Sequence, residues 1–289
     1  MAIRLLALDL DGTLLNPRGH LTDRNRQAIS EARSCGARVA LCTGRRFRDA
    51  RPIALELGLD VPLISHNGAL TKHAETLETV AVLPLPLAAA QSAVRIGQEF
   101  GADALVSDDH EGLGILVYDH LSGDNPSLRR YIHWARRVHG EEGANAIKEV
   151  PSLAAWLDHE PVHIAFSGGC AAVSELAARL ETQLGTTAKL LTTMYPAMDF
   201  ALVDIIHPRA SKGIGVAAAA AELGIAREEV MAVGDNFNDL EMLEFAGTAV
   251  VMANADATLR ERNDFHLTAS NEDDGVALAI EKFILNSGH

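Results

Sequence analysis

Two aspartates at the end of a short apolar run are the residues with the clearest chemical potential. Residues 3–8 read as a buried strand, and Asp9 and Asp11 follow it, just before Gly12 and Thr13. Strand residues two apart point to the same side of a sheet, so the two carboxylates repel each other unless a cation neutralises them. Oxygen ligands of this kind suit Mg²⁺. One aspartate could then act as a nucleophile and the other as a proton donor. The alternative is a strand that ends in a solvated acidic turn.

Three further polar motifs also lie beside apolar segments. They are Thr43-Gly44-Arg45, Ser211-Lys212-Gly213 and Gly234-Asp235-Asn236-Phe237-Asn238-Asp239. A hydroxyl beside free backbone N–H groups, at the junction between a loop and a helix, suits a phosphate group. Thr43 and Gly44 therefore predict a phosphate cradle, with an ordinary Thr-Gly turn as the alternative.

Lys212 and the acidic residues after residue 233 extend this interpretation. A lysine at the start of a helix is unfavourable for the helix dipole, so an anionic partner is expected, namely Asp9 and a phosphoryl group. A solvated surface lysine is the other interpretation. Asp235 is the candidate for a second metal carboxylate. For Asp239 three roles stay open: holding a metal-bound water, holding Lys212, or capping the following helix.

The order and spacing of these four motifs, together with residues 268–277, resemble the haloacid dehalogenase-like hydrolase superfamily. The resemblance is to its Cof-type branch of small-molecule phosphatases. It implies that Asp9 attacks a phosphate ester, and that Asp11 protonates the leaving group and gives its backbone carbonyl to the metal. It implies Mg²⁺ as the cofactor, with Asp9, Asp11 and Asp235 as metal ligands and Lys212 as a catalytic cation. The implied phosphate-binding residues are Thr43, Gly44, Arg45 and Asn238. Asn67-Gly68 resembles a family turn near the substrate, although Asn-Gly alone is a hairpin signal.

The elements that must position these motifs alternate between strand and helix. Residues 1–70 predict strands at 3–8, 37–42 and 61–65, with helices at 21–35 and 48–57. The alternation resumes after Lys212, with strands at 230–233 and 248–252 and a final helix at 274–285. This pattern indicates an α/β fold, a doubly wound parallel sheet of Rossmann type. The motifs lie at the predicted carboxyl ends of its strands, where ligands of such sheets bind.

The middle of the chain has a different pattern, with Pro84 and Pro86 at its start. We expect a discontinuous catalytic core of residues 1–83 and 207–289, and an inserted α+β domain of residues 84–206. By resemblance, this insert is a cap that closes over the active site and sets substrate selectivity.

Composition limits the partners of this chain. The 289 residues carry a formal net charge of −14, which argues against a nucleic acid or an anionic membrane as the main partner. No apolar run is long enough to span a bilayer. The cysteines Cys35, Cys42 and Cys170 have no metal-type spacing, which favours reduced thiols in a cytoplasmic protein. A monomer and a homodimer are both compatible with the sequence.

Three functions compete. The first is a Mg²⁺-dependent phosphatase of small phosphorylated metabolites, such as sugar phosphates or phosphorylated cofactors. The second is a phosphomutase or phosphotransferase that resembles phosphomannomutase and uses the same aspartyl-phosphate. The third is an inactive binding protein, which is disfavoured because each catalytic position holds the residue type that the chemistry needs.

Overall fold

The apolar run before the paired aspartates forms a central strand of a large sheet. The computed structural model describes residues 2–108, 110–123, 125–138 and 146–286. Its strands are β1 (Leu5–Asp9), β2 (Arg38–Cys42), β3 (Pro62–Ser65), β4 (Leu70–His73), β5 (Thr79–Val82), β6 (Ala104–Asp108), β7 (Ile115–Tyr118), β8 (Ile147–Glu149), β9 (His163–Gly168), β10 (Lys189–Tyr195), β11 (Phe200–Ile206), β12 (Val230–Gly234), β13 (Thr248–Val251) and β14 (His266–Leu267). Its helices are α1 (Asp23–Ser34), α2 (Phe47–Glu56), α3 (Leu87–Phe100), α4 (Pro126–Val138), α5 (Leu153–Trp156), α6 (Cys170–Leu184), α7 (Lys212–Glu222), α8 (Leu240–Phe245), α9 (Ala257–Arg260) and α10 (Gly275–Ile280). The sequence pattern of residues 128–139 also predicts a helix. It corresponds to α4, and His139 lies outside the described residues.

The chain divides into two units. The first unit runs to Ala81 and resumes at Ser211, and the second unit is Val82–Ala210. Among the described residues of the first unit, eight strands form one sheet in the order β14-β13-β12-β1-β2-β3-β4-β5. The pairs from β14 to β3 are parallel, which confirms the predicted α/β fold. The antiparallel pairing of β4 with β3 was not predicted, and a turn at residues 66–68 joins these two strands.

Alternation along β1 explains why both faces of this sheet are covered. Leu5 and Ala7 pack in one cluster with Val216 and Ala219 of α7. Leu6 and Leu8 must point to the opposite face, and they are also fully buried. A strand that is apolar at every position therefore lies inside the sheet, and only its end is free to carry polar chemistry.

Side-chain caps set the starts of two helices of the first unit. The Thr22 hydroxyl accepts the Asn25 N–H at the start of α1. The Ser211 hydroxyl accepts the Ile214 N–H at the start of α7, so Lys212 occupies the first helical position. Capping thus fixes where the Lys212 side chain leaves its helix.

The second unit is a mixed α and β structure with its own core. Among its described residues six strands form a sheet in the order β10-β11-β9-β6-β7-β8, antiparallel except for β7 with β8. Residues of α3 and α6 pack on one side of this sheet, and residues of α4 belong to a separate cluster with Leu116 and Tyr118. Gly97 allows α3 to approach closely, since a Cβ there would lie 2.2 Å from the Phe166 ring. The described part of the chain contains no helix with the length and apolar character needed to cross a membrane.

Candidate active site

Three neighbouring strands bring three motifs to one edge of the first unit's sheet. β1 pairs in parallel with both β2 and β12. Asp9 ends β1, Thr43 follows β2, and Asp235 follows β12. Since parallel strands end at the same edge, these residues are neighbours despite separations of up to 226 positions in sequence.

Lys212 is fully buried and joins two acidic residues. Its ammonium donates hydrogen bonds to Asp9 Oδ1 at 2.6 Å and to Asp239 Oδ1 at 2.5 Å. Burial alone disfavours the ammonium, but Asp239 and Asp9 outweigh it and raise the pKa of Lys212. Lys212 is therefore a permanent buried cation, and the surface-lysine interpretation is excluded.

Asp9 has one oxygen engaged and one without a partner. Oδ1 accepts from Lys212, whereas the buried Oδ2 has no hydrogen-bond partner among the described residues. Burial raises the pKa of Asp9 well above its ordinary value, because Lys212 offsets desolvation only in part and Asp239 and Asp235 add repulsion. A carboxylate oxygen left in this state needs a cation or an electrophile.

Asp235 is held against the turn that follows Asp9. Its Oδ1 accepts a hydrogen bond from the Thr13 hydroxyl at 2.8 Å. Gly12 has a φ of +94°, and a Cβ at this position would lie 2.3 Å from Asp235 Oδ2. Only glycine permits both the left-handed backbone and this close approach. Burial, followed by repulsion from Asp239, raises the pKa of Asp235 to about 6.

Asp239 is occupied as a positioning group. Its Oδ1 accepts from Lys212, and its Oδ2 accepts the backbone N–H groups of Asp235 and Asn236, each at 3.0 Å. Asp239 therefore holds Lys212, which is one of the three roles that the sequence left open. Its side chain makes no capping hydrogen bond to the following helix α8 and instead closes the turn that precedes that helix. The bond to the Asp235 N–H also fixes the backbone that carries Asp235.

The acidic groups have the chemistry of a divalent cation site. Asp9, Asp235 and Asp239 each offer a carboxylate oxygen, and these three oxygens lie within 4.8 Å of one another. Both oxygens of Asp239 already accept hydrogen bonds, whereas Asp9 Oδ2 accepts none. The donor set therefore fits an oxygen-preferring metal bound mainly through Asp9 and Asp235.

Arg45 contacts Asp11 by a two-point ion pair. Its Nε donates to Asp11 Oδ2 at 2.7 Å, and its Nη2 donates to Asp11 Oδ1 at 2.6 Å. The Asp11 side chain is about half exposed, at 54%. Although burial opposes it, Asp11 raises the pKa of Arg45, which keeps the guanidinium charged. The sequence predicted both Asp11 and Arg45 as site residues, but it did not predict that they would pair with each other.

The loop of Thr43, Gly44 and Arg45 is tied to the turn at residues 66–68. The Thr43 carbonyl accepts the Asn67 N–H and the Arg45 carbonyl accepts the His66 N–H, each at 3.0 Å. The Thr43 hydroxyl accepts the Arg45 N–H at 3.1 Å, which closes the loop around Gly44. A Cβ on Gly44 would lie 3.1 Å from the Asn67 amide, so this loop packs closely on the turn.

The turn at residues 66–68 also reaches the other two motifs. Asn67 Oδ1 accepts from the Asn238 amide at 2.9 Å. A Cβ on Gly68 would lie 1.8 Å from the Ser211 carbonyl. His66, Asn67 and Gly68 all have a positive φ, between +49° and +88°. The turn that contains Asn67 and Gly68 therefore connects three separate motifs by contact, which the spacing of those motifs in the sequence does not show.

Comparisons with known proteins agree with this geometry. The family model described as haloacid dehalogenase-like hydrolase matches residues 6–280. The chain is 32% identical to a putative phosphatase, YxeH, from Bacillus subtilis strain 168, over 98% of each chain. It is 29% identical to the pyridoxal phosphate phosphatase YbhA from Escherichia coli strain K12, over 99% of this chain and 100% of the relative. A haloacid dehalogenase-like hydrolase from Bacteroides thetaiotaomicron superimposes with a TM-score of 0.80 at 25% identity, over 97% of this chain and 99% of that one.

Proposed function

This chain belongs to the haloacid dehalogenase-like hydrolases and is a phosphoric monoester hydrolase, and we propose that it is a Mg²⁺-dependent phosphatase acting through an aspartyl-phosphate. The observation that supports this most directly is the buried pair of Asp9 and Lys212. Lys212 holds one oxygen of Asp9 and leaves the other without a partner, which is the arrangement that an oriented nucleophile requires.

In the first proposed step, an oxygen of Asp9 attacks phosphorus. The bond between phosphorus and the ester oxygen breaks, and Asp11 gives its proton to the departing alcohol. The Lys212 ammonium lies beside Asp9 and can stabilise negative charge on the phosphoryl oxygens. In the second step Asp11 takes a proton from water, the water oxygen attacks phosphorus, and the bond to Asp9 breaks. Phosphate leaves and Asp9 is regenerated.

Arg45 has a positioning role in this proposal. The sequence suggested that it binds phosphate together with Thr43, Gly44 and Asn238. Its two hydrogen bonds to Asp11 support a different first duty, that of holding the ionised Asp11 carboxylate in place. One of these two bonds must break when Asp11 carries the proton that it gives to the leaving group. Thr43, Gly44 and Asn238 stay as the proposed phosphate cradle.

Mg²⁺ is the proposed metal, held by Asp9, Asp235 and, as the family resemblance implies, the Asp11 backbone carbonyl. When bound, it supplies positive charge that neutralises these carboxylates and the phosphate group. Asp239 contributes by orienting Lys212 and the backbone of Asp235.

Small phosphorylated metabolites, either sugar phosphates or phosphorylated cofactors, are the proposed substrates. One relative is named for pyridoxal phosphate, and another, from Cronobacter sakazakii, is named an HMP-PP phosphatase. We assign substrate selectivity to the second unit. The three free thiols, Cys35, Cys42 and Cys170, support the proposed reducing cytoplasm. The phosphatase names of the relatives favour hydrolysis over the phosphomutase alternative.

The test is phosphate release from a panel of phosphorylated metabolites with Mg²⁺, comparing wild type with Asp9→Asn. Asp60→Asn, at an exposed residue paired with Arg38, is the matched control. We expect release by wild type and Asp60→Asn, none by Asp9→Asn, and none in EDTA. Turnover by Asp9→Asn would refute the covalent mechanism. If wild type releases no phosphate but converts hexose phosphates in the presence of a bisphosphate activator, the phosphomutase alternative is correct.

A further inference from the structure

Three asparagine side chains hold the chain segment that follows Asp9. Each donates its amide to a different backbone carbonyl within residues 12–15. The bonds are Asn254 to Gly12 at 2.8 Å, Asn25 to Leu14 at 3.3 Å and Asn271 to Leu15 at 2.8 Å. We call Asn25, Asn254 and Asn271 the asparagine clamp. Its members come from α1, from the loop after β13 and from the loop before α10, so distant segments converge on one turn.

Two members of the clamp are themselves held in orientation. Asn25 is fully buried within α1, and its Oδ1 accepts the Ala277 N–H at 3.0 Å. Asn254 Oδ1 accepts the Asn271 N–H at 3.0 Å. Asparagine is a poor helix former, so a buried asparagine inside α1 calls for a reason beyond local preference. In both Asn25 and Asn254 the amide N–H group donates to the turn, and the amide oxygen accepts a backbone N–H from the carboxyl-terminal segment. Each side chain therefore links the turn to that segment.

The segment that the clamp holds is also the segment that carries the proposed acid. Asp11 immediately precedes Gly12, whose carbonyl the clamp binds, and the Thr13 hydroxyl donates to Asp235. The N–H groups of Leu14 and Leu15 bond back to the carbonyls of Asp9 and Leu10, at 3.2 Å and 2.9 Å. The N–H groups of Leu14 and Leu15 are thus used within the segment, and backbone bridges pair Leu15 with Asp11 and with Leu21. The clamp adds side-chain donors to the carbonyls of Gly12, Leu14 and Leu15. Losing a clamp bond would loosen the backbone of residues 12–15, whereas β1 would stay fixed by its pairing with β2 and β12.

We propose that the asparagine clamp positions Asp11 for proton transfer to the leaving group. This inference rests on the function proposed above. Its members are positioning residues, since they contact the turn and not the reacting atoms. The carboxyl-terminal segment from residue 254 to residue 277 would then determine catalytic efficiency without contributing to the chemistry directly.

The test compares esters that need acid assistance to different degrees. An alkyl phosphate has a poor leaving group and depends on proton donation, whereas p-nitrophenyl phosphate has a good one and depends on it little. For Asn254→Ala, we expect kcat/KM to fall about 10- to 100-fold on an alkyl phosphate that wild type hydrolyses, through kcat and not KM. On p-nitrophenyl phosphate we expect a change of less than about threefold.

Two further variants isolate the donor. Asn254 is exposed, so its replacement should leave the fold intact. Asn254→Asp keeps an oxygen for the Asn271 N–H but cannot donate to Gly12, and it should resemble Asn254→Ala. Asn16→Ala is the matched control, because Asn16 accepts the N–H groups of Arg18 and His20 and bonds none of the clamped carbonyls. It should match wild type on both esters.

A second measurement needs neither metal nor substrate. In EDTA, hydrogen exchange at the Leu14 and Leu15 amides should be faster in Asn254→Ala than in wild type or Asn16→Ala. Equal losses on both esters, unchanged kinetics or unchanged exchange would each overturn the inference. If wild type hydrolyses neither ester, the proposed function fails, and unchanged exchange would then overturn the clamp separately.

Discussion

The raised pKa of Asp235 predicts that a conservative substitution stabilises the metal-free protein. In the folded chain this pKa is about 6, against an ordinary value of 3.8. A pKa difference of one corresponds to about 1.4 kcal/mol, so ionised Asp235 lowers the free energy of unfolding by about 3 kcal/mol. Because Asp235 is only partly buried, we expect about 2–3 kcal/mol. Asp235→Asn removes the charge, and its Oδ1 can still accept from Thr13.

The sign of this effect depends on pH. Below pH 4 Asp235 is neutral in both the folded and the unfolded chain, so wild type and Asp235→Asn should be similarly stable. Between about pH 4 and pH 6 only the folded chain keeps the proton, so wild type loses stability relative to the variant as pH rises. Above about pH 6 the difference stays at its full value. The order reverses with Mg²⁺, which should stabilise wild type and not Asp235→Asn.

Urea unfolding in EDTA from pH 4 to pH 8 measures this difference. Trp134 and Trp156 both lie in the second unit, so tryptophan fluorescence follows that unit, whereas far-ultraviolet circular dichroism follows the whole chain. If the units unfold separately, the fluorescence transition should not respond to Asp235→Asn and serves as an internal control. An Asp235→Asn protein that is less stable than wild type at pH 7.5, or a difference independent of pH, would refute the electrostatic reasoning.

Three further predictions follow from the site. Removing divalent metal with EDTA should stop phosphate release and added Mg²⁺ should restore it, so activity that persists in EDTA would contradict the metal site. Arg45→Lys keeps the charge but not the two-point contact with Asp11, so kcat should fall about tenfold with a smaller change in KM, and an unchanged kcat would exclude the positioning role. Gly68→Ala places a Cβ against the Ser211 carbonyl at a positive φ, and should lower the free energy of unfolding by about 2–4 kcal/mol, whereas Gly19→Ala, with open space around its Cα, should cost less. Equal losses from the two glycine substitutions, measured by urea unfolding, would show that contact with Ser211 does not matter.

The sequence predicts most of the first unit because its signals are local. Apolar runs end in polar motifs, and Thr22 and Ser211 mark helix starts by hydrogen bonds that span only three residues. The antiparallel strand β4 and the two-residue strand β14 were not predicted, since Leu70–His73 contains a buried lysine and a histidine, and His266–Leu267 is too short for a periodic pattern. In the second unit the sequence pattern predicts strands at 114–118, 162–166, 188–192 and 200–206, which correspond to β7, β9, β10 and β11, whereas β6 and β8 were not predicted.

In the site, too, the residues that can be recognised from their sequence neighbours were predicted, whereas contacts between residues far apart in the sequence were not. Residue types at strand ends indicate Asp9, Asp11 and Asp235, because their chemistry is readable from a few neighbours. The contact of Arg45 with Asp11 is not readable in that way, and for Asp239 the sequence left three roles open. Asp239 lies 27 positions from Lys212, and Arg45 lies 34 positions from Asp11, so only the fold brings each pair into hydrogen-bond contact.

The asparagine clamp is the extreme case of this long-range information. Asn254 and Asn271 lie 242 and 256 positions from the carbonyls that they bind. Asn271 lies in the stretch 268–277 that resembles the family, but nothing in the sequence of that stretch, or around Asn254, identifies the carbonyl that each asparagine binds. Groups that perform chemistry must have particular side chains at particular strand ends, and this leaves a pattern in the sequence. Groups that hold the backbone need only a donor at the correct point in space, and many positions along a chain can supply one. Positioning residues are therefore the part of an active site that a structure adds to a sequence.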